Sequence, residues 1–184
     1  VKELRPLASA RSAGKKINFR GHEISIQELT EKSFEGIDIA LFSAGGGISK
    51  TYAPIAADAG AVVVDNSSAF RMDKTVPLVV PEINPEEAQN HSGIIANPNC
   101  TTIVTLMGLN PLHKKWKALN IIASSYQAVS GSGAQGIEEL KSQINAIANG
   151  NEIEKKVYPC QIAHNVIPQD DICLLYTSDA ADEE

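Results

Sequence analysis

The apolar runs at residues 37–42, 61–64 and 93–96 are short and nearly unbroken, and each ends in a glycine-rich or polar turn. Continuous rather than alternating hydrophobicity marks strands buried on both faces. With a helical stretch over residues 48–59, closed by Gly60, the pattern predicts an α/β fold whose parallel sheet is covered on both sides. Ligands in open sheets of this kind bind at the carboxyl ends of the strands. Two such ends are chemically rich: Ser43-Ala44-Gly45-Gly46-Gly47, and the run from Asp65 through Asn66-Ser67-Ser68 to Arg71. The glycine loop at Ser43, Ala44 and Gly45 is a candidate ligand contact, although any buried strand must end in a loop and glycine commonly supplies one.

Before these runs, residues 1–8 read as a strand, 9–15 as a polar loop, and 16–19 and 23–26 as two short strands about Arg20-Gly21-His22. The second half differs in kind. A helix is predicted from Cys100 to near His113, a strand over 120–127, a tight Ser130-Gly131-Ser132-Gly133 loop, and a helix over 134–149. The last carries Ile137, Leu140, Ile144 and Ile147 at helical spacing, with Gly150 as terminator. A domain boundary is placed just before Cys100, giving domains over 1–99 and 100–172.

At 184 residues and 43% hydrophobic content, the chain can bury one core or parts of two. A net charge of −6 disfavours nucleic acid and anionic membrane as partners, and no apolar run approaches the roughly 20 residues of a membrane span. A cytoplasmic home is the default. The three cysteines are odd in number and widely spaced, which argues against a disulfide framework, and no ligand spacing points to a metal.

Cys100 carries the sharpest chemical signal. It sits in Asn97-Pro98-Asn99-Cys100-Thr101-Thr102, where an apolar strand gives way to a helix. Pro98 discourages helix at Asn97, Asn99 is a good N-cap, and first-turn N–H groups with the helix dipole favour a thiolate. By itself this leaves a nucleophile and a buried, inert cysteine both open. The run Gly131-Ser132-Gly133-Ala134-Gln135-Gly136 formally fits a dinucleotide fingerprint. The strand before it ends in polar Ser124-Ser125-Tyr126-Gln127, and no convincing parallel strand with a ribose-binding acid follows. A glycine-rich loop with some other contact role is the better reading.

Long segments of the chain resemble one family, the bacterial aspartate-β-semialdehyde dehydrogenases. They include Leu7-Ala8-Ser9-Ala10-Arg11-Ser12-Ala13-Gly14, the run Val64 to Met72, Val79-Val80-Pro81-Glu82-Ile83-Asn84, Ala96-Asn97-Pro98-Asn99-Cys100 and Tyr126-Gln127-Ala128-Val129-Ser130-Gly131. The likeness runs from Val1 to about Asp170. It implies a Rossmann-like NADP-binding domain followed by the start of an α+β catalytic and dimerisation domain. The implied reaction is the NADPH-dependent reductive dephosphorylation of L-aspartyl 4-phosphate to aspartate semialdehyde and phosphate. The resemblance decides for Cys100 as the nucleophile that holds an acyl thioester, with Asn99 beside it in the turn. It makes Arg71 the phosphate-binding arginine, a role suited to a planar guanidinium, and Gln127 the substrate contact near the thiol. Arg11 and Ser12 match the pair expected at the 2′-phosphate of NADP, and Ser130 and Gly131 the contact with the nicotinamide half. A homo-oligomer is implied.

None of His22, His91, His113 and His164 lies in a segment resembling the family's catalytic histidine, and all four read as structural or solvated. The family's first strand and glycine-rich phosphate loop would precede Val1, and its base and carboxylate-binding arginine would follow Asp170. Residues 173–184 resemble translated cloning sequence rather than protein. The expectation is therefore an internal fragment with a foreign tail, inactive alone. The alternatives are another acyl-phosphate reductase, such as N-acetylglutamyl-phosphate reductase or a glyceraldehyde-phosphate dehydrogenase relative, and a non-catalytic nucleotide-binding module in which Cys100 is structural.

Overall fold

A computed structural model describes residues 1–168, which belong to two compact units dividing between Ile121 and Ile122. The foreign tail expected from residue 173, Cys173 included, lies outside the described residues.

In the first unit, β1 (Leu7–Ala8) pairs in parallel with β4 (Gln27–Glu28), while β2 (Lys16–Phe19) and β3 (His22–Ser25) form an antiparallel hairpin. Its principal sheet is parallel, in the order β5 (Ile39–Phe42), β6 (Val62–Asp65), β7 (Ile94–Ala96). A parallel bridge from Leu78 to Ala96 extends it beyond β7. Helix α1 (Gly46–Asp58) joins β5 to β6 and packs on the sheet. The helix stops where expected: Gly60 takes a φ of 96°, its N–H donates to the Ala57 carbonyl, and that of Ala61 donates to Ala56.

Ala40, Phe42 and Val63 of the sheet meet Ala53 and Ala56 of α1, with Phe34 stacked on Phe42 at 5.8 Å between ring centroids. Full burial of side chains such as Phe34 and Val63 contributes about 1.5–3 kcal/mol each. The small alanines let helix and sheet approach closely, and the phenylalanines fill the space beyond. Coverage of both faces is not what the structure shows. Ile39 and Leu41, on the opposite face of β5, are 64% and 79% exposed, because among the described residues α1 covers the other side. The strand expected over residues 1–8 is also shorter than read, confined to β1; Arg5 instead anchors its segment by donating to the Ser33 and Glu35 carbonyls. Helix α2 (Cys100–Trp116) completes this unit and ends at Lys117, which takes a left-handed conformation.

The second unit is organised around α3 (Gly133–Ala148), preceded by a 3-10 turn over Val129–Ser132. The expected helix forms, but the face it buries is not the apolar one. Ile137, Ile144 and Ile147 are 37%, 42% and 38% exposed, whereas Gly136, Glu139 and Gln143 are buried. Those three are also at helical spacing, and they receive the segment around residues 154–163. The Glu139 carboxylate accepts the backbone N–H groups of Lys156, Val157 and Tyr158, and Gln143 Nε2 donates to it at 3.1 Å. Gln143 Oε1 accepts from Ile162 and Ala163. Residues 120–127 form no strand. A strand exists only as a hydrogen-bonded ladder, and none of the described residues pairs with this stretch.

Burial pushes the Glu139 carboxyl up, but the N–H groups of Val157, Lys156 and Tyr158 and the Lys156 charge together hold it below its ordinary 4.5. A depressed carboxylate stabilises the fold above its unfolded value and loses that contribution as pH falls through the folded one. Glu139→Gln is therefore expected to cost about 1–3 kcal/mol at neutral pH in urea denaturation. The gap to wild type should narrow below pH 4.5. A gap unchanged into acid would show that the charge does not hold this segment.

Candidate active site

The register of the principal sheet aligns Phe42 with Asp65 and Asp65 with Ala96, so the loops after β5, β6 and β7 leave from one edge. Ladder bonds continue past the strand ends: Asn66 N–H donates to the Phe42 carbonyl at 2.9 Å and Asn97 N–H to that of Asp65 at 2.8 Å. Ser43-Ala44-Gly45, Asn66 to Arg71 and Asn97 to Cys100 thereby share the carboxyl edge, where ligands bind in sheets of this kind.

Cys100 is the first residue of α2 and is exposed. Asn99 caps the helix as its residue type foretells, with Oδ1 accepting the Thr101 N–H at 2.8 Å. The thiol donates toward the same oxygen across 3.9 Å. The nucleophile candidate therefore stands at an accessible helix N-terminus, its neighbour's side chain held by the cap.

Arg71 is tied to that turn. Its Nε donates to the Asn97 carbonyl at 2.9 Å and its Nη2 to the Asn66 carbonyl at 3.2 Å. The Asn97 Nδ2 donates to Asn66 Oδ1 at 2.6 Å, stapling the loop after β6 to the loop after β7. Two carbonyls fix the guanidinium plane. Beneath this staple lies a residue that sequence reasoning did not single out. Asp65 is fully buried and accepts from Ser49 Oγ of α1 at 2.6 Å, from Ser67 N–H at 3.1 Å and from Ser67 Oγ at 2.7 Å. A buried carboxylate survives only with such partners. It locks the start of α1 and the loop bearing Asn66 and Arg71 to the end of β6. The signal was present: a charged residue closes the run Val62-Val63-Val64-Asp65 on the register that β6 buries.

The other candidates in this unit sit on turns. Arg11 and Ser12 lie in the tight turn after β1, where Ser12 N–H donates to the Ser9 carbonyl at 2.8 Å. Ser43, Ala44 and Gly45 are exposed; Gly45, at a φ of 94°, precedes α1, and its carbonyl accepts the Ser49 N–H. In the second unit, Gln127 precedes the 3-10 turn that carries Ser130 and Gly131. That turn follows no strand, in keeping with the rejection of the glycine run as a self-contained fingerprint. Gly136 has a packing role there, since a Cβ on it would lie 2.8 Å from Tyr158 Oη and from the Val129 carbonyl. Of the histidines, His91 Nδ1 accepts the Gly93 N–H, His113 lies in the last turn of α2, and His164 adopts a left-handed φ of 56°. No helix among the described residues is long and apolar enough to cross a membrane.

The family profile of the semialdehyde dehydrogenase NAD-binding domain matches residues 1–91, and that of the semialdehyde dehydrogenase dimerisation domain matches residues 109–173. The aspartate-semialdehyde dehydrogenase of Bacillus subtilis is 51% identical over 172 residues, covering 90% of this chain and 50% of that protein. The crystal structure of aspartate semialdehyde dehydrogenase II from Vibrio cholerae, complexed with ASA, superposes with a TM-score of 0.81 at 48% identity, over 93% of this chain and 52% of that one. That of the Candida albicans aspartate semialdehyde dehydrogenase with NADP gives 0.52 at 28% identity, over 63% and 40%. The chain spans about half the length of the relatives it matches. With both domain profiles matched in order, and identity near one half sustained across nine-tenths of its length, the chain belongs to the aspartate-semialdehyde dehydrogenase family.

Proposed function

We propose that the complete enzyme to which this chain belongs converts L-aspartyl 4-phosphate to aspartate semialdehyde with NADPH in the cytoplasm, as a homo-oligomer, in amino-acid biosynthesis. The observation that carries the reading is the joining of Arg71 to the Asn97–Cys100 turn at the carboxyl edge of the sheet. The Cys100 thiolate attacks the acyl-phosphate carbonyl; the carbon–sulfur bond forms, the carbon–oxygen bond to phosphorus breaks, and inorganic phosphate leaves. Covalent capture replaces one difficult displacement by two easier steps. Arg71 holds the phosphoryl oxygens, and Asn99 and Gln127 orient the carbonyl. After reduction of the thioester, the carbon–sulfur bond breaks, releasing aldehyde and regenerating thiolate.

Bound NADPH supplies the hydride. The residues present fit it: an exposed arginine and a serine hydroxyl share the turn after β1, as a phosphomonoester requires, and the exposed Ser43-Ala44-Gly45 loop offers open backbone at the strand end. Arg11 and Ser12 would hold the 2′-phosphate, Ser43, Ala44 and Gly45 the dinucleotide, and Ser130 with the Gly131 backbone the nicotinamide half. The catalytic and dimerisation domain is taken to begin at Cys100. That the related Vibrio cholerae enzyme was crystallised with ASA and the Candida albicans one with NADP supports a ligand of each of these kinds.

The test is phosphate-dependent reduction of NADP by the complete enzyme, followed by nicotinamide absorbance. Aspartate semialdehyde is expected to exceed N-acetylglutamate semialdehyde in kcat/KM by at least about 100-fold, the scale on which a pocket separates substrates that differ by a small group. Equal turnover of both, or turnover only of the acetylated substrate, would assign the chain to the other reductase.

A further inference from the structure

We infer that Gly131 is a positioning residue for the Gln127 carboxamide, a use of its missing side chain separate from any backbone contact with the cofactor. The inference deepens the proposed reaction and rests on reading Gln127 as its substrate contact. A Cβ at residue 131 would stand 2.1 Å from Gln127 Nε2, 2.7 Å from Cδ and 3.0 Å from Cγ. The Gln127 side chain therefore lies across the bare face of Gly131, in space that any other residue would occupy.

Backbone conformation does not explain the glycine. Gly133, next but one, needs its φ of 76°, but Gly131 is not among the glycines with positive φ. Nor can the turn swing aside to admit a larger residue. Tyr158 Oη lies 2.9 Å from Ser132 Oγ and 3.4 Å from the Val129 carbonyl oxygen, at the two ends of the turn, which Gly131 N–H closes internally on the Ala128 carbonyl at 2.9 Å. Tyr158 is itself held through its backbone by Glu139 on α3, and it sits over Gly136 with no room to spare. With the turn pinned at both ends, a methyl group at residue 131 displaces the side chain that yields most easily, the flexible Gln127. The fold survives while the carboxamide loses its place, and a displacement of about 1 Å in a reacting geometry can cost on the order of 100-fold.

The experiment compares Gly131→Ala, Gln127→Ala and the double variant in the complete enzyme, assayed with aspartate semialdehyde, phosphate and NADP. Gly131→Ala is expected to lower kcat/KM for the semialdehyde by about 10- to 100-fold. Its KM for NADP, which meets backbone that alanine retains, and its melting temperature should match wild type. Combined with Gln127→Ala it should add no further loss, because both act through one carboxamide. A raised KM for NADP with semialdehyde kcat/KM intact, or losses that add in the double variant, would overturn the inference and leave Gly131 a cofactor contact alone. Undiminished semialdehyde kcat/KM in Gln127→Ala would instead remove Gln127 from the reaction, and the inference with it, while wild-type turnover keeps the proposed activity standing.

Discussion

Cys100→Ala in the complete enzyme is expected to abolish phosphate-dependent NADP reduction, with a loss in kcat on the order of 10⁴-fold or more. The size follows from the covalent mechanism. Without sulfur there is no acyl intermediate, and binding and orientation alone cannot replace a bond. The fold should tolerate the change: Cys100 is exposed, its helix keeps the Asn99 cap, and alanine is the best helix former. Melting temperature should therefore hold while activity disappears. Cys100→Ser separates the roles of shape and nucleophile, since it retains volume but gives up the thiolate, and it is expected to be nearly as impaired. Persistence of semialdehyde turnover in either variant would return Cys100 to a structural part and remove the covalent mechanism.

Arg71→Lys carries the second large effect. The charge survives but the geometry does not, because an ammonium on a flexible stem cannot reach the Asn97 and Asn66 carbonyls together and still face a phosphate bidentately. KM for phosphate in the semialdehyde-oxidising direction should rise by about 10- to 100-fold, the scale of one to two charge-assisted hydrogen bonds. KM for NADP is expected to stay within about twofold, the arginine of the cofactor turn being a different residue. If the melting temperature falls and phosphate KM does not move, Arg71 is only a staple between loops. Asp65 gives that staple its foundation, since three hydrogen bonds from Ser49 and Ser67 fix the backbone from which the loop departs.

Each local signal in the chain is legible over the range at which its physical cause acts. Gly60 ends α1, and Asn99 starts α2, because the groups they satisfy lie within a turn of them. The runs at β5, β6 and β7 read as strands because burial on a parallel sheet demands unbroken apolar residues. Residues 120–127 hold only a short apolar run, Ile121-Ile122-Ala123, before polar residues, and form no strand, since a ladder needs a second chain segment that composition does not reveal. Helix α3 shows the same limit for a face. Its period was legible, but Glu139 and Gln143 bury because distant backbone N–H groups at residues 156–158 and 162–163 come to meet them.

Residue order alone was enough to specify a parallel α/β unit, a capped helix opening at a cysteine, and the family whose motifs carry Arg71, Gln127 and the Asn97–Cys100 turn. Those depend on apolar period, cap chemistry and local residue identity, all written along the chain. Folding settled which side chains support one another: Asp65 under the loop of Arg71, Asn66 joined to Asn97 across 31 positions of sequence, and Gln127 lying over Gly131. Such pairings follow from strand register and from the space a missing Cβ leaves, and both come into being only when segments far apart in the chain are packed together.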